Sequence, residues 1–109
     1  MKEYVMIPFQ VREERLDEAK RAINELISNV KEKEPGTLLY NSLQLKNDPT
    51  SFIHFITFAD PDAHLKHRGA PYVIDFVKKL YELCPTEPFP IFLESFDSCG
   101  GDGGASGQQ

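Results

Sequence analysis

Positive charge is scarce in this sequence. Twelve Lys and Arg stand against seventeen Asp and Glu, a formal net charge of −5. That balance argues against a nucleic-acid backbone or an anionic membrane as the main partner. Cysteine is scarcer still. Cys84 and Cys99 are the only two, and no CxxC occurs, so no disulfide framework can be built and a cytoplasmic location is expected. No apolar run is long enough for a membrane span. Met1-Lys2-Glu3-Tyr4 offers no basic region followed by an apolar stretch, so no secretory signal is expected. Glycine is nearly missing from the body, because five of the seven lie in the last twelve residues, SCGGDGGASGQQ. That leaves too little to build a phosphate-cradling loop, and no serine elbow or dinucleotide fingerprint is present.

What is there suffices for one folded domain. The chain has 109 residues, 40% of them hydrophobic and twelve aromatic. Residues 98–109 read as a flexible Gly-rich tail, and residues 1–97 as a single domain. Tyr4 to Val11 reads as a strand. From about Glu14 to Lys33, Leu16, Ala19, Ile23, Leu26, Ile27 and Val30 recur at helical spacing, with acids at the start and Lys31 and Lys33 in the last turn. Pro35-Gly36 ends that helix. Thr37 to Lys46 and Ser51 to Ala59 form two strands joined by an Asn47–Thr50 turn. Asp60-Pro61 caps a short helix that Gly69 breaks, and Pro71 opens a second one that ends near Cys84-Pro85. Phe89 to Asp97 reads as the last strand. The order βαββαβ predicts an α+β, ferredoxin-like sandwich: a four-stranded antiparallel sheet with helices on one face.

Two strand details go further. In the third strand Phe52, Ile56 and Phe58 lie on one face and Ile53 and Phe55 on the other; the last strand sets Phe92 and Phe96 against Ile91 and Leu93. Helices can cover only one face, so the other should meet a second copy of the sheet, which predicts a homodimer. Pro8 cannot donate to a ladder, and predicts a bulge or an irregular stretch in a central strand.

Three stretches, EPGTLLYNSLQL, NDPTSFIHFITF and ADPDAHLKHRGAPYVIDFVKKL, resemble the antibiotic biosynthesis monooxygenase superfamily. The matching residues are Gly36, Tyr40, Asp48-Pro49, Phe52, Phe58, Asp60, Ala63-His64, His67 and Pro71. The resemblance runs from about Tyr4 to Asp97. It implies a dimeric α+β barrel with a pocket in each monomer between sheet and helices. It also implies a choice of activities: cofactor-independent oxygenation of quinols or anthrones, haem degradation, or isomerisation of a phosphorylated sugar. Members commonly carry a Glu and then a Trp or Tyr late in the third strand, where this chain has Ile56 and Phe58. The haem-degrading branch relies on a Trp, and this chain has none.

His67, at the family histidine, is the candidate base; the alternative is a helix-end histidine bonded to a backbone carbonyl. His64 lies one turn earlier and is expected at the helix surface. The two imidazoles lack a third metal ligand, so no metal is expected. His54 shares its strand face with Phe52, Ile56 and Phe58 and is either a pocket polar group or a satisfied core histidine. Tyr40 and Tyr72 could aim hydroxyls at a ligand, and Phe52, Phe58 and Phe76 could line its pocket. Cys84, near a helix C-terminus, is no nucleophile. The leading expectation, supplied by the resemblance, is a monooxygenase without cofactor that acts on an electron-rich aromatic and O₂. The alternatives are an isomerase of a small phosphorylated keto sugar, using His67 with Lys66 or Arg68, and a non-catalytic ligand-binding or stress-related dimer.

Overall fold

Helical and strand periodicities resolve into three helices and four strands in the computed structural model, which describes residues 1–100. The elements are β1 (Glu3–Gln10), α1 (Leu16–Lys33), β2 (Thr37–Leu45), β3 (Asp48–Phe58), α2 (Pro61–Gly69), α3 (Pro71–Leu83) and β4 (Ile91–Leu93), with a 3-10 turn at Glu13–Arg15 ahead of α1. The sheet runs β2-β3-β1-β4, antiparallel at every pairing. This is the ferredoxin-like α+β sandwich that the element order predicts. Most of the expected tail lies outside the described residues.

The stripe on α1 buries Ala19, Ile23, Leu26 and Val30, and α3 buries Val73, Phe76, Leu80 and Leu83. Both pack on the sheet face that carries Val5, Phe9, Phe52 and Ile56. Asp60 caps α2, its carboxylate accepting from the Ala63 amide at 2.8 Å.

Four local expectations need correction. The hairpin turn is only Lys46-Asn47, because the ladder runs on to Leu45 opposite Asp48. Asp48, Pro49 and Thr50 therefore belong to β3, and the Asp48 carboxylate accepts from the hydroxyls of Thr50 and Ser51. The helix break falls at Ala70 rather than Gly69. Ala70 is extended (φ −69°, ψ 135°), as the ring of Pro71 requires of the residue before it. Pro8 makes no bulge: β1 stays in register with β3 from Glu3 to Gln10. The partner β4 reaches only Tyr4–Met6, so beyond Met6 that edge of β1 is unpaired and a missing amide proton costs nothing there. Finally, β4 is three residues long, and Phe96 stands fully exposed outside it.

Gly36 holds α2 close to the start of β2. A Cβ there would lie 2.7 Å from Ala63 Cβ, a contact that no side-chain rotation relieves. Its carbonyl accepts from the Ala59 amide at 2.8 Å, so the backbone is not free to move away. Gly36→Ala is expected to cost about 1–3 kcal/mol by overpacking, read as a lower urea midpoint at unchanged slope. Adding Ala63→Gly should restore much of that loss.

Candidate functional site

Between the helical layer and the sheet lies a cavity of about 200 Å³. Val5, Ile7 and Ile56 form its sheet wall, and Val73, Phe76 and Leu80 its helical wall. Val77, Tyr81, Phe89 and Phe92 stand at its mouth, each also exposed to solvent. Phe89 is 70% exposed and Phe92 64%, so the opening itself is aromatic.

Polar groups reach this apolar space from two buried clusters. The first is built on Glu34, the residue after α1. Its carboxylate accepts from Thr37 Oγ1 (2.6 Å), Tyr72 Oη (2.5 Å) and His67 Nδ1 (2.8 Å), and so ties the ends of α1, β2, α2 and α3 together. Both partners of the Glu34–His67 pair are under 10% exposed. Burial alone would raise the carboxyl pKa, but the hydrogen bonds from Thr37, Tyr72 and His67 outweigh it and hold Glu34 below the ordinary value. Burial lowers the His67 pKa more than Glu34 raises it, so the imidazole stays neutral near pH 7. A neutral ring that donates through Nδ1 keeps a lone pair on Nε2.

The second cluster is Tyr40 and His54. Tyr40 Oη lies 2.8 Å from His54 Nδ1. His54 is 1% exposed and caged by Phe9 (centroids 4.9 Å, edge-on) and Phe76 (6.0 Å, near parallel). Its Nε2 is buried without a hydrogen-bond partner among the described residues. Burial pushes its pKa down to about 4 and raises that of the Tyr40 hydroxyl.

The His54 shift has a consequence for stability. Below the ordinary value of 6.5 the unfolded chain takes up a proton that the folded chain refuses until about pH 4. Stability is therefore lost as pH falls through that window, by about 3 kcal/mol from this residue. Denaturant melts between pH 7 and pH 4 check this. In His54→Gln, which keeps an acceptor for Tyr40, that component of the slope should vanish.

Five of the candidate site residues line the cavity: His67, His54, Tyr40, Phe58 and Phe76. Two do not. Phe52 packs on Phe9 at 5.4 Å inside the main core, because β3 carries it past the end of the cavity. Tyr72 turns its hydroxyl to Glu34 and lines a separate pocket beside Asn29 and Lys79, not the cavity. His64 is not a surface residue. Its ring stacks on Phe58 at 4.6 Å, bonds Glu3 Oε1 through Nδ1 at 2.7 Å, and lines the cavity. Arg68 also reaches the lining, whereas Lys66 does not. Among the described residues no group of three or more His, Cys, Asp or Glu is placed to hold a metal. Cys84 is buried, and burial raises its thiol pKa.

Glu34 was not among the candidate residues, and the signal that could have found it is its position. A carboxylate just past the last turn of α1 opposes the helix dipole, after two lysines that suit it. An acid at that electrostatically unfavourable position is a weak hint of a partner elsewhere in the fold.

Comparisons with known proteins agree with this architecture. No curated protein matches the chain. A solved structure of a candidate antibiotic biosynthesis monooxygenase from Caulobacter crescentus superposes with a TM-score of 0.81 at 21% identity, covering 88% of this chain and 91% of that one. A protein from Mycobacterium tuberculosis gives 0.81 at 17% identity, over 90% and 98% of the two chains. A conserved protein from Methanosarcina mazei gives 0.78 at 19% identity, over 85% and 91%. At these identities the likeness speaks for the fold. The model of the antibiotic biosynthesis monooxygenase family itself matches residues 4–79, most of the folded body, and the chain belongs to that family.

Proposed function

We propose that the protein is a cofactor-independent monooxygenase of a small electron-rich aromatic, with a hydroquinone as the type substrate. One observation carries this reading: a largely apolar cavity is lined by three imidazoles, and one of them, His67, is backed by a buried carboxylate. An apolar slot with a few fixed polar groups suits a planar aromatic. In the reading, His67 Nε2 takes the phenolic proton and Glu34 steadies the imidazolium that forms. The electron-rich anion then reacts with O₂. One oxygen stays on the ring, the other leaves as water, and a hydroquinone becomes a hydroxyquinone with the substrate as the only reductant.

The cavity volume narrows the substrate. A cavity of about 150 Å³ lined by aliphatic and aromatic groups holds benzene. About 200 Å³ therefore suits one substituted ring or a compact bicycle better than a tricyclic anthrone. The isomerase alternative is weaker, because among the described residues Arg68 is the one Lys or Arg at the lining and most of the lining is apolar.

Oxygen uptake with a panel of hydroquinones tests the reading. Uptake well above autoxidation, one O₂ per hydroxyquinone and unchanged by chelator, is the expected result. Tight binding without uptake would replace it with the non-catalytic ligand-binding dimer. The reading includes a cytoplasmic protein, supported by free thiols at Cys84 and Cys99.

It also includes a homodimer. The sheet face away from the helices carries Met6, Leu39, Leu43, Ile53, Phe55 and Leu93, with Leu39, Leu43 and Leu93 each at least 40% exposed. A second copy of the same face is the simplest cover for such a patch. Phe55→Arg, at its centre, is expected to convert a dimer to a monomer in sedimentation.

A further inference from the structure

His54 and Tyr40 are tied to each other and not to the Glu34 cluster. Their hydrogen-bonding can be counted. The imidazole is neutral, so one ring nitrogen carries a proton and the other a lone pair. If Nδ1 carried the proton and gave it to Tyr40 Oη, two buried groups would be left without partners: the phenolic proton and the Nε2 lone pair. If instead the Tyr40 hydroxyl donates to Nδ1, the stronger acid of the pair meets the stronger base, and what is left over is the Nε2–H and the weakly accepting phenol oxygen. The first arrangement leaves unmet the better donor and the better acceptor of the pair, so the second prevails. The His54 ring is enclosed by Phe9, Tyr40 and Phe76 and forms part of the cavity lining, so a molecule in the cavity is what Nε2–H has left to meet.

We propose that His54 Nε2–H is a hydrogen-bond donor to an acceptor oxygen of the bound aromatic, a carbonyl or the phenolate that forms on deprotonation, and that Tyr40 is a positioning residue that fixes this tautomer. The inference rests on the cavity being the ligand site. Within it, the two imidazoles then have opposite roles. His67, held by a carboxylate, presents a lone pair and accepts a proton; His54, held by a phenol, presents a proton and stabilises an oxygen. The cavity therefore selects ligands with an acceptor at the buried end over hydrocarbons of the same shape.

The test uses 1-tetralone, a bicyclic ketone that does no chemistry here, and tetralin, which lacks the oxygen. Binding to the full-length protein is followed by ¹⁵N and ¹H shifts of the three histidine rings. Three results are expected. Free His54 shows the Nε2–H tautomer; tetralone shifts that proton; and the tetralone-to-tetralin affinity ratio falls about tenfold in both Tyr40→Phe and His54→Phe. Tyr40→Phe should also lose the unique tautomer while its backbone amide spectrum stays folded, a signature that a packing role alone would not give. An Nδ1–H tautomer in the free protein overturns the proposal. So does a ratio unchanged by either substitution, including the case where a bound water keeps the Nε2–H contact. If neither compound moves the His54 or His67 signals, the cavity is not the aromatic site, and the functional reading falls with the proposal.

Discussion

Replacing His67 with alanine is expected to lower hydroquinone-dependent oxygen uptake by about 100- to 10,000-fold, the range typical of removing a positioned general base. The loss should fall on kcat, with KM little changed, because the hydrocarbon walls that bind the ring remain. The reason is geometric. Glu34 occupies Nδ1, so Nε2 is the nitrogen left to work, and the ring lines the cavity. The pH profile gives an independent check. Burial lowers the His67 pKa below the ordinary 6.5, and Glu34 only partly offsets it. The base is lost when His67 is protonated, so the rate should hold through neutrality and fall on the acid side with a midpoint below 6.5. Uptake retained in His67→Ala would keep the activity and remove the assigned base.

Glu34→Ala is expected to be the most destabilising single change at the site, by about 3 kcal/mol. The carboxylate is 9% exposed and accepts from three side chains that belong to different parts of the fold. Its removal strands the buried His67 Nδ1–H and frees Thr37 and Tyr72. Tyr72→Phe and Thr37→Val, which each remove one donor and leave the carboxylate its others, should cost about 1 kcal/mol apiece. Urea unfolding at pH 7 reads all three. A Glu34→Ala loss no larger than that of Tyr72→Phe would mean that the three bonds do not act as one junction. Glu34→Gln separates stability from chemistry. It keeps hydrogen-bonding capacity but not charge, so it should fold nearly as well as wild type yet lose the support that the carboxylate gives a protonated His67.

Much of the fold was legible in the sequence because periodicity is a local property. The stripe on α1, the two apolar faces of β3 and the Asp60-Pro61 cap each follow from residues within one turn or one strand of each other. The site was legible only by residue type. Tyr40, His54, Phe58, His67 and Phe76 meet at one cavity. Phe52 and Tyr72, equally plausible by face and spacing, point into the core and toward Glu34. His64, expected on the surface, is largely covered by Phe58 and Glu3, the latter sixty-one residues away in sequence.

The sequence by itself determined the number, kind and order of the elements, the face of each helix that is buried, and the apolar character of both sheet faces. Those depend on hydrophobic period and on proline and capping chemistry, which act over a few residues. Only the tertiary structure decided which polar atoms find partners. The Glu34–His67 bond spans thirty-three residues and the Tyr40–His54 bond fourteen. A hydrogen bond is made or lost over a few tenths of an ångström, and that precision comes from packing the helices on the sheet, which no local pattern specifies. The same packing leaves His54 Nε2 without a hydrogen-bond partner among the described residues.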